Sequence, residues 1–151
     1  MAPHLYQYMR MFGIFGGPAV YARAKYQRQE LRLNVPGLRG SLALRGGTSD
    51  RATFQKVFLE GEYDIDLDFA PRLIVDGGAN VGYASVYFAH RFPDALVLAV
   101  EPEPQNFRLL TSNTEAYPNI RCFKHALWPR HTCLSLENSS GNADAFFVRE
   151  G

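Results

Sequence analysis

Three short apolar runs at a regular interval constrain this chain more than any other feature. Leu73-Ile74-Val75, Val97-Leu98-Ala99-Val100 and Ile120 to Phe123 each read as a strand, with starts about 24 residues apart. That interval suits a compact β-α-β step with a right-handed crossover. The runs are continuous rather than alternating, which predicts strands covered on both faces. Between the first two, Val81, Ala84, Tyr87 and Phe88 fit a helix that ends by Pro93. Between the second and third, Phe107, Leu110 and Thr114 fit a helix that ends at Tyr117-Pro118. The fold class is therefore α/β, a doubly wound parallel sheet.

Upstream of about residue 70 the rhythm is different. Leu31 to Val35 and Ser41 to Leu44 read as two short strands, with Pro36-Gly37 and Arg39-Gly40 supplying turn chemistry between them. Thr48, Ser49 or Asp50 can cap a helix that runs to about Leu59, with Phe54, Val57 and Phe58 as its buried face. Ala70-Pro71 then resets the chain, because the residue before a proline is pushed out of helical geometry. The expected division is an N-terminal arm and upstream segment over 1–70 and a ligand-binding half over 71–151.

Charge is concentrated at the N-terminus. The whole chain carries only +1, so no global field marks it as a nucleic-acid binder. Residues 1–33 alone hold Arg10, Arg23, Lys25, Arg28 and Arg32 against Glu30, a local +4. Leu5, Tyr8, Met9 and Phe12 recur at helical spacing within that segment, and Gly16-Gly17-Pro18 is the expected break in it. Three readings compete: a helical arm packed on its own domain or on a twin, a peripheral membrane contact, and a cleaved signal peptide. No apolar run reaches the ~20 residues that a membrane crossing needs, so the expected location is cytoplasmic. Cys122 and Cys133 are too few for a disulfide scaffold. At 46% hydrophobic residues, the chain can still bury a core of ordinary size.

The chemistry sits at the carboxyl end of the first run, in Val75-Asp76-Gly77-Gly78-Ala79-Asn80-Val81-Gly82. In open α/β sheets ligands bind there, where a glycine turn meets a helix N-terminus. Nineteen residues after Gly82, Glu101 ends the second strand, where an acid can accept hydrogen bonds from ribose hydroxyls. A dinucleotide site wants G-x-G-x-x-G, whereas this chain offers Asp76-x-Gly78-x-Asn80-x-Gly82. An acid in front of the first glycine sits badly beside a pyrophosphate. It suits the ammonium group of S-adenosylmethionine. The bland alternative is a tight turn that holds no ligand.

VDGGANVGYAS followed by AVEPEPQNFRLLTSN resembles the FkbM-type methyltransferases, a branch of the class I S-adenosylmethionine-dependent enzymes. LRGGTSDRATFQKVFLEGEYD and NIRCFKHALW are also similar to that family, so the resemblance runs from about Leu44 to Trp128. It implies a Rossmann-like class I methyltransferase fold and O-methylation of a hydroxyl on a small molecule or glycan. Carried across by position, Asp76, Gly78, Asn80 and Gly82 would hold the methionine end of the cofactor. Glu101 would take the ribose, His125-Ala126 would lie near the adenine, and Ala79 and Pro102 complete the expected cofactor-binding residues. The family's fourth strand carries an acidic Asp-x-Glu-Gly-type motif, and none is found here before Gly151. The expectation is a cofactor-binding half, incomplete at its C-terminus, whose last residues form a short hairpin. Its strands would be Thr132 to Leu136 and Ala145 to Val148, around Asn138-Ser139-Ser140-Gly141.

No catalytic base stands out among His125, Glu60, Glu62 and Tyr63. Cys122, His125, His131 and Cys133 have zinc-ligand chemistry, but Cys122 and His125 would point to opposite faces of a strand, so no metal is expected. Arg45, Arg51 and Lys56 form either an anion site or an ordinary solvated face. The alternatives to a methyltransferase are an NAD-binding Rossmann protein and a non-catalytic remnant that acts as an interaction module.

Overall fold

A computed structural model describes residues 3–130, 134–138 and 146–150. The chain divides into two compact units, Met1–Asp66 and Leu67–Gly151.

The first unit begins with α1 (Pro3–Tyr26), which is two helical segments rather than one. The break falls at Gly13 (φ 80°, ψ 163°), three residues before the expected Gly16-Gly17-Pro18, and Pro18 lies inside the second segment. Gly17 has another task. A Cβ there would lie 2.5 Å from the Met9 Cα, so the second segment folds back against the first with no room for a side chain. Tyr8 is fully buried at this contact, stacked on Phe12 at 6.0 Å and set edge-on to Tyr21 at 5.5 Å. It also meets Phe54 at 6.4 Å, so one face of the arm packs within its own unit.

Strands β1 (Leu31–Leu33) and β2 (Leu42–Leu44) pair antiparallel, Leu31 opposite Leu44. The predicted single helix is α2 (Asp50–Phe54) continued by a π-helical turn (Gln55–Leu59). Phe54 and Val57 are buried as expected, whereas Phe58 is only partly covered. Ser49 makes no side-chain cap. The Thr48 hydroxyl instead accepts from the Asp50 amide at 3.2 Å. Asp50 itself is fully buried and accepts from Arg45 Nε (2.9 Å), Arg45 Nη2 (2.8 Å) and the Arg45 amide (2.9 Å). Such a forked pair satisfies both charges at once. Arg45 is thus a structural cation. It is not the anion site that its neighbourhood with Arg51 and Lys56 suggested.

The second unit carries the parallel sheet, β3 (Leu73–Gly77), β4 (Leu96–Val100) and β5 (Ile120–Phe123), in the order β3-β4-β5. Val75 faces Leu98 and Val97 faces Ile120 in register. The crossovers are α3 (Tyr83–Arg91) and α4 (Pro104–Thr114), and Asn119 Nδ2 ties the turn before β5 to the carbonyls of Ala89 (3.4 Å) and Ala95 (3.0 Å). This mixed α/β arrangement is compatible with a Rossmann-like fold.

The expected cover on both faces is not what the unit shows. Val97 and Ala99 are fully buried and Ile120 nearly so, while Leu73 and Val75 stay 56% and 55% exposed. The cause is topological. Strands added successively in one direction by right-handed crossovers carry their helices on the same face, and the other face gains helices only where the strand order reverses. Here α3 and α4 lie against each other on one side. At the end of the chain, β6 (Leu134–Asn138) and β7 (Phe146–Glu150) pair antiparallel, Leu134 opposite Glu150. The hairpin is thus shifted from its expected bounds, and Asn138 belongs to a strand rather than to the turn; residues 139–145 lie outside the described residues.

Candidate cofactor site

The turn from β3 into α3 is fastened by six of its backbone groups. The Val100 carbonyl, at the end of β4, accepts from the amides of both Gly78 and Ala79 at 2.9 Å. Glu101 Oε2 accepts from the Asn80 amide at 2.8 Å. The Gly82 amide donates to the Ala79 carbonyl at 2.8 Å, and Asn113 Nδ2, from α4, donates to the Val81 carbonyl at 2.8 Å. Asn80 is left with φ 50°, a left-handed conformation that asparagine tolerates better than most residues.

Glu101 works in two directions. Its Oε1 accepts from the Glu103 amide at 2.9 Å, so one buried carboxylate clamps the glycine turn and the start of α4 together. Glu103 then caps α4 by accepting from the Asn106 amide at 2.6 Å, with Pro104 in the first helical turn. Each Glu101 oxygen retains lone-pair capacity beyond its one backbone donor.

Beside this turn is a cavity of about 460 Å³, within the size range of small-ligand pockets. Gly78, Asn80, Glu101, Pro102, His125 and Ala126 line it, as do Gly77, Asn106 and Leu127, which the sequence reading did not single out. Asn106 had a legible signal: Glu103-Pro104 is an N-cap followed by an N1 proline, which places Asn106 in the first turn. Val148, which also lines the cavity, comes from β7 and had no such signal.

Asp76, Ala79 and Gly82 do not line the cavity. The Asp76 carboxylate accepts from the Ser85 hydroxyl at 2.5 Å, on the side of the sheet covered by α3. Burial raises its pKa above the ordinary carboxylate range, and its hydrogen bonds from Ser85 oppose that shift. Ala79 is buried in the turn. Gly82, at φ 88°, faces α4: a Cβ there would stand 2.6 Å from Leu110 Cδ1 and 3.3 Å from Thr114 Cγ2. The glycine is what lets α3 and α4 approach.

Glu60, Glu62 and Tyr63 belong to the first unit, where Glu60 stands 3.7 Å from His4 Nδ1. Among the described residues no three His, Cys, Asp or Glu side chains gather as a metal site. Cys122 lies 3.4 Å from the Thr114 hydroxyl, and His131 and Cys133 lie outside the described residues.

At the turn itself the backbone donors are already used. The amides of Gly78, Ala79, Asn80 and Gly82 are all used within the protein. The buried Asn80 Oδ1 has no partner, and it is an acceptor. Beside the turn, Glu101 therefore keeps acceptor capacity for a ligand's hydrogen-bond donors.

Comparison with known proteins finds two partial likenesses. Over 60 residues, 40% of this chain and 23% of the relative, the chain is 37% identical to Methyltransferase sdnD of Sordaria araneosa. Over 63 residues, 42% of this chain and 25% of the relative, it is 30% identical to Methyltransferase 1 of Beauveria bassiana (strain ARSEF 2860). The matched stretches span about a quarter of the length of these relatives. No family model matches the chain, and no solved structure matches it. The two partial likenesses support a relationship to methyltransferases and go no finer.

Proposed function

We propose that the second unit is the cofactor-binding part of an S-adenosylmethionine-dependent O-methyltransferase of FkbM type, acting on a hydroxyl of a small molecule or glycan. The observation that carries the cofactor is the saturation of the glycine turn. A dinucleotide's pyrophosphate needs free backbone N–H groups at the turn, and here those of Gly78, Ala79, Asn80 and Gly82 already have acceptors. S-adenosylmethionine carries no phosphate. Its ammonium group and two ribose hydroxyls are donors, and its carboxylate and adenine nitrogens take their donors from elsewhere in the site.

The residues present fit that group. Asn80 lines the cavity, and Gly78 has open space where a Cβ would stand. Glu101 keeps acceptor capacity for ribose hydroxyls, and His125-Ala126 line the same cavity. Asp76 acts one step back, since its carboxylate is held by Ser85. Bound S-adenosylmethionine supplies a methyl group on an electrophilic sulfonium. The chain's own part is to hold the cofactor in a fixed orientation, and such positioning is a large share of the advantage in an in-line displacement. The small-molecule or glycan acceptor rests on the FkbM resemblance.

The test is a calorimetric titration of the 151-residue chain with S-adenosylmethionine, with NAD as the control. Saturable heat with the first and none with the second is expected. Asn80→Gly removes the side-chain amide that lines the cavity and suits the positive φ, so it should weaken binding about tenfold while the fold stays intact. Folded protein that binds NAD, or binds neither ligand, overturns the reading.

A further inference from the structure

The arm has an inner face that is satisfied and an outer face that is not. Gly17 is buried against the first helical segment, and Tyr21 meets Tyr8. On the other side of the second segment Ile14 is 70% exposed, Phe15 96% and Tyr26 71%. Pro18, Ala19 and Ala22 are also exposed, and the spacing 15-19-22-26 puts them on one stripe with Phe15 and Tyr26. A nearly naked phenylalanine beside an exposed isoleucine is an apolar tip, placed at the Gly13 break where the two segments meet.

The charge around that stripe has a single sign. Residues 1–29 contain no Asp or Glu, while Arg10, Arg23, Lys25 and Arg28 are all cationic. Arg10, Arg23 and Lys25 are exposed, and Lys25 sits 5.0 Å over the Tyr26 ring at the far end of the stripe. Apolar tip, aromatic end and acid-free basic flank are the features of a helix that lies in a membrane interface. Among the described residues no helix is long and apolar enough to cross a membrane.

We infer that the outer face of the arm, Ile14-Phe15 with Arg23 and Lys25, docks on an anionic lipid surface. This proposal is independent of the cofactor reading. The occupant is argued from charge. A second copy could bring the exposed acids Glu60, Glu62, Asp64, Asp66 and Asp68, so self-association is the outcome that the test must separate from lipid binding.

Flotation with phosphatidylcholine vesicles, with and without about 30 mol% phosphatidylserine, tests it. The chain should float with the anionic vesicles and far less with the neutral ones, and about 0.5 M salt should weaken the association. I14D/F15D should lower the partition about tenfold or more, and R23E/K25E on the order of tenfold. Both variants change exposed side chains, and circular dichroism verifies that they fold. Failure of the folded chain to float with anionic vesicles overturns the proposal, as does undiminished binding by both variants. Dimerisation that F15D abolishes, with no vesicle binding, would overturn it in favour of self-association.

Discussion

Buried carboxylates in the two units solve the same problem by different means. In the first unit Asp50 is fully buried and met by the Arg45 guanidinium at 2.8 Å, so charge is cancelled by charge. In the second unit Glu101, Glu103 and Asp76 are held by backbone amides and one serine hydroxyl, with no cation in ion-pair reach among the described residues. The difference teaches something about function. A carboxylate saturated by a forked cation has nothing left to offer. One held by neutral donors keeps both its negative charge and spare lone pairs, which is what a donor-rich ligand needs.

The largest expected effect tests the first half of that contrast. Asp50→Ala leaves the Arg45 guanidinium partly buried without its partner and should cost about 3–5 kcal/mol, read as a shift in the urea midpoint. Glu101→Ala tests the second half. It orphans the Asn80 and Glu103 amides and should cost roughly 2–4 kcal/mol, at about 1–2 for each buried donor, with S-adenosylmethionine binding lost as well. If Glu101→Gln restores stability and also restores affinity, the carboxylate has no role beyond the clamp, and the contrast fails.

Gly82→Ala comes next. It places a Cβ against Leu110 in a backbone conformation that disfavours side chains, and should destabilise by roughly 2–3 kcal/mol. The readout is the thermal midpoint. Its effect on cofactor affinity, measured where the variant is folded, should be small because Gly82 faces α4 rather than the cavity.

The smallest effect is the most discriminating. Asp76 has a folded-state pKa raised by burial, so the folded chain holds its proton to higher pH than the unfolded chain does. Between the two pKa values the folded state binds more protons, and stability falls as pH rises through that window. The cost is fully present above the folded value. Asp76→Asn should therefore give a small gain in unfolding free energy at neutral pH. That gain should vanish as pH falls below the ordinary aspartate range, as denaturant titrations at several pH values would show. A loss at neutral pH would mean that the hydrogen bonds from Ser85 to the ionised carboxylate outweigh the cost of its burial.

Much of the second unit was legible in the residues. The three strands, both crossover helices and the glycine turn stand where the apolar runs and Pro93, Tyr117-Pro118 and Gly77-Gly78 put them, within about three residues. The first unit was less legible. Gly16-Gly17-Pro18 reads as a break because glycine and proline are locally weak helix formers, yet the break is at Gly13 and Gly17 serves a close contact with Met9. Of the candidate cofactor residues, Gly78, Asn80, Glu101, Pro102, His125 and Ala126 come together at the cavity. Asp76 is turned from it by strand alternation, since it shares the helix-covered face with Ile74.

By itself, the sequence determined the α/β rhythm, the turn at the end of β3 and an acid at the end of β4, because periodicity, turn chemistry and run length are properties of neighbours along the chain. Only the tertiary structure decided which face of the sheet α3 and α4 cover, and hence where Asp76 points. It also decided that the turn's amides are spent, through partners as distant as Glu101 from Asn80 and Asn113 from Val81, 21 and 32 residues apart. Local pattern can place a donor or a carboxylate at a strand end. Whether that group is still free to meet a ligand depends on what the rest of the chain has already bonded to it.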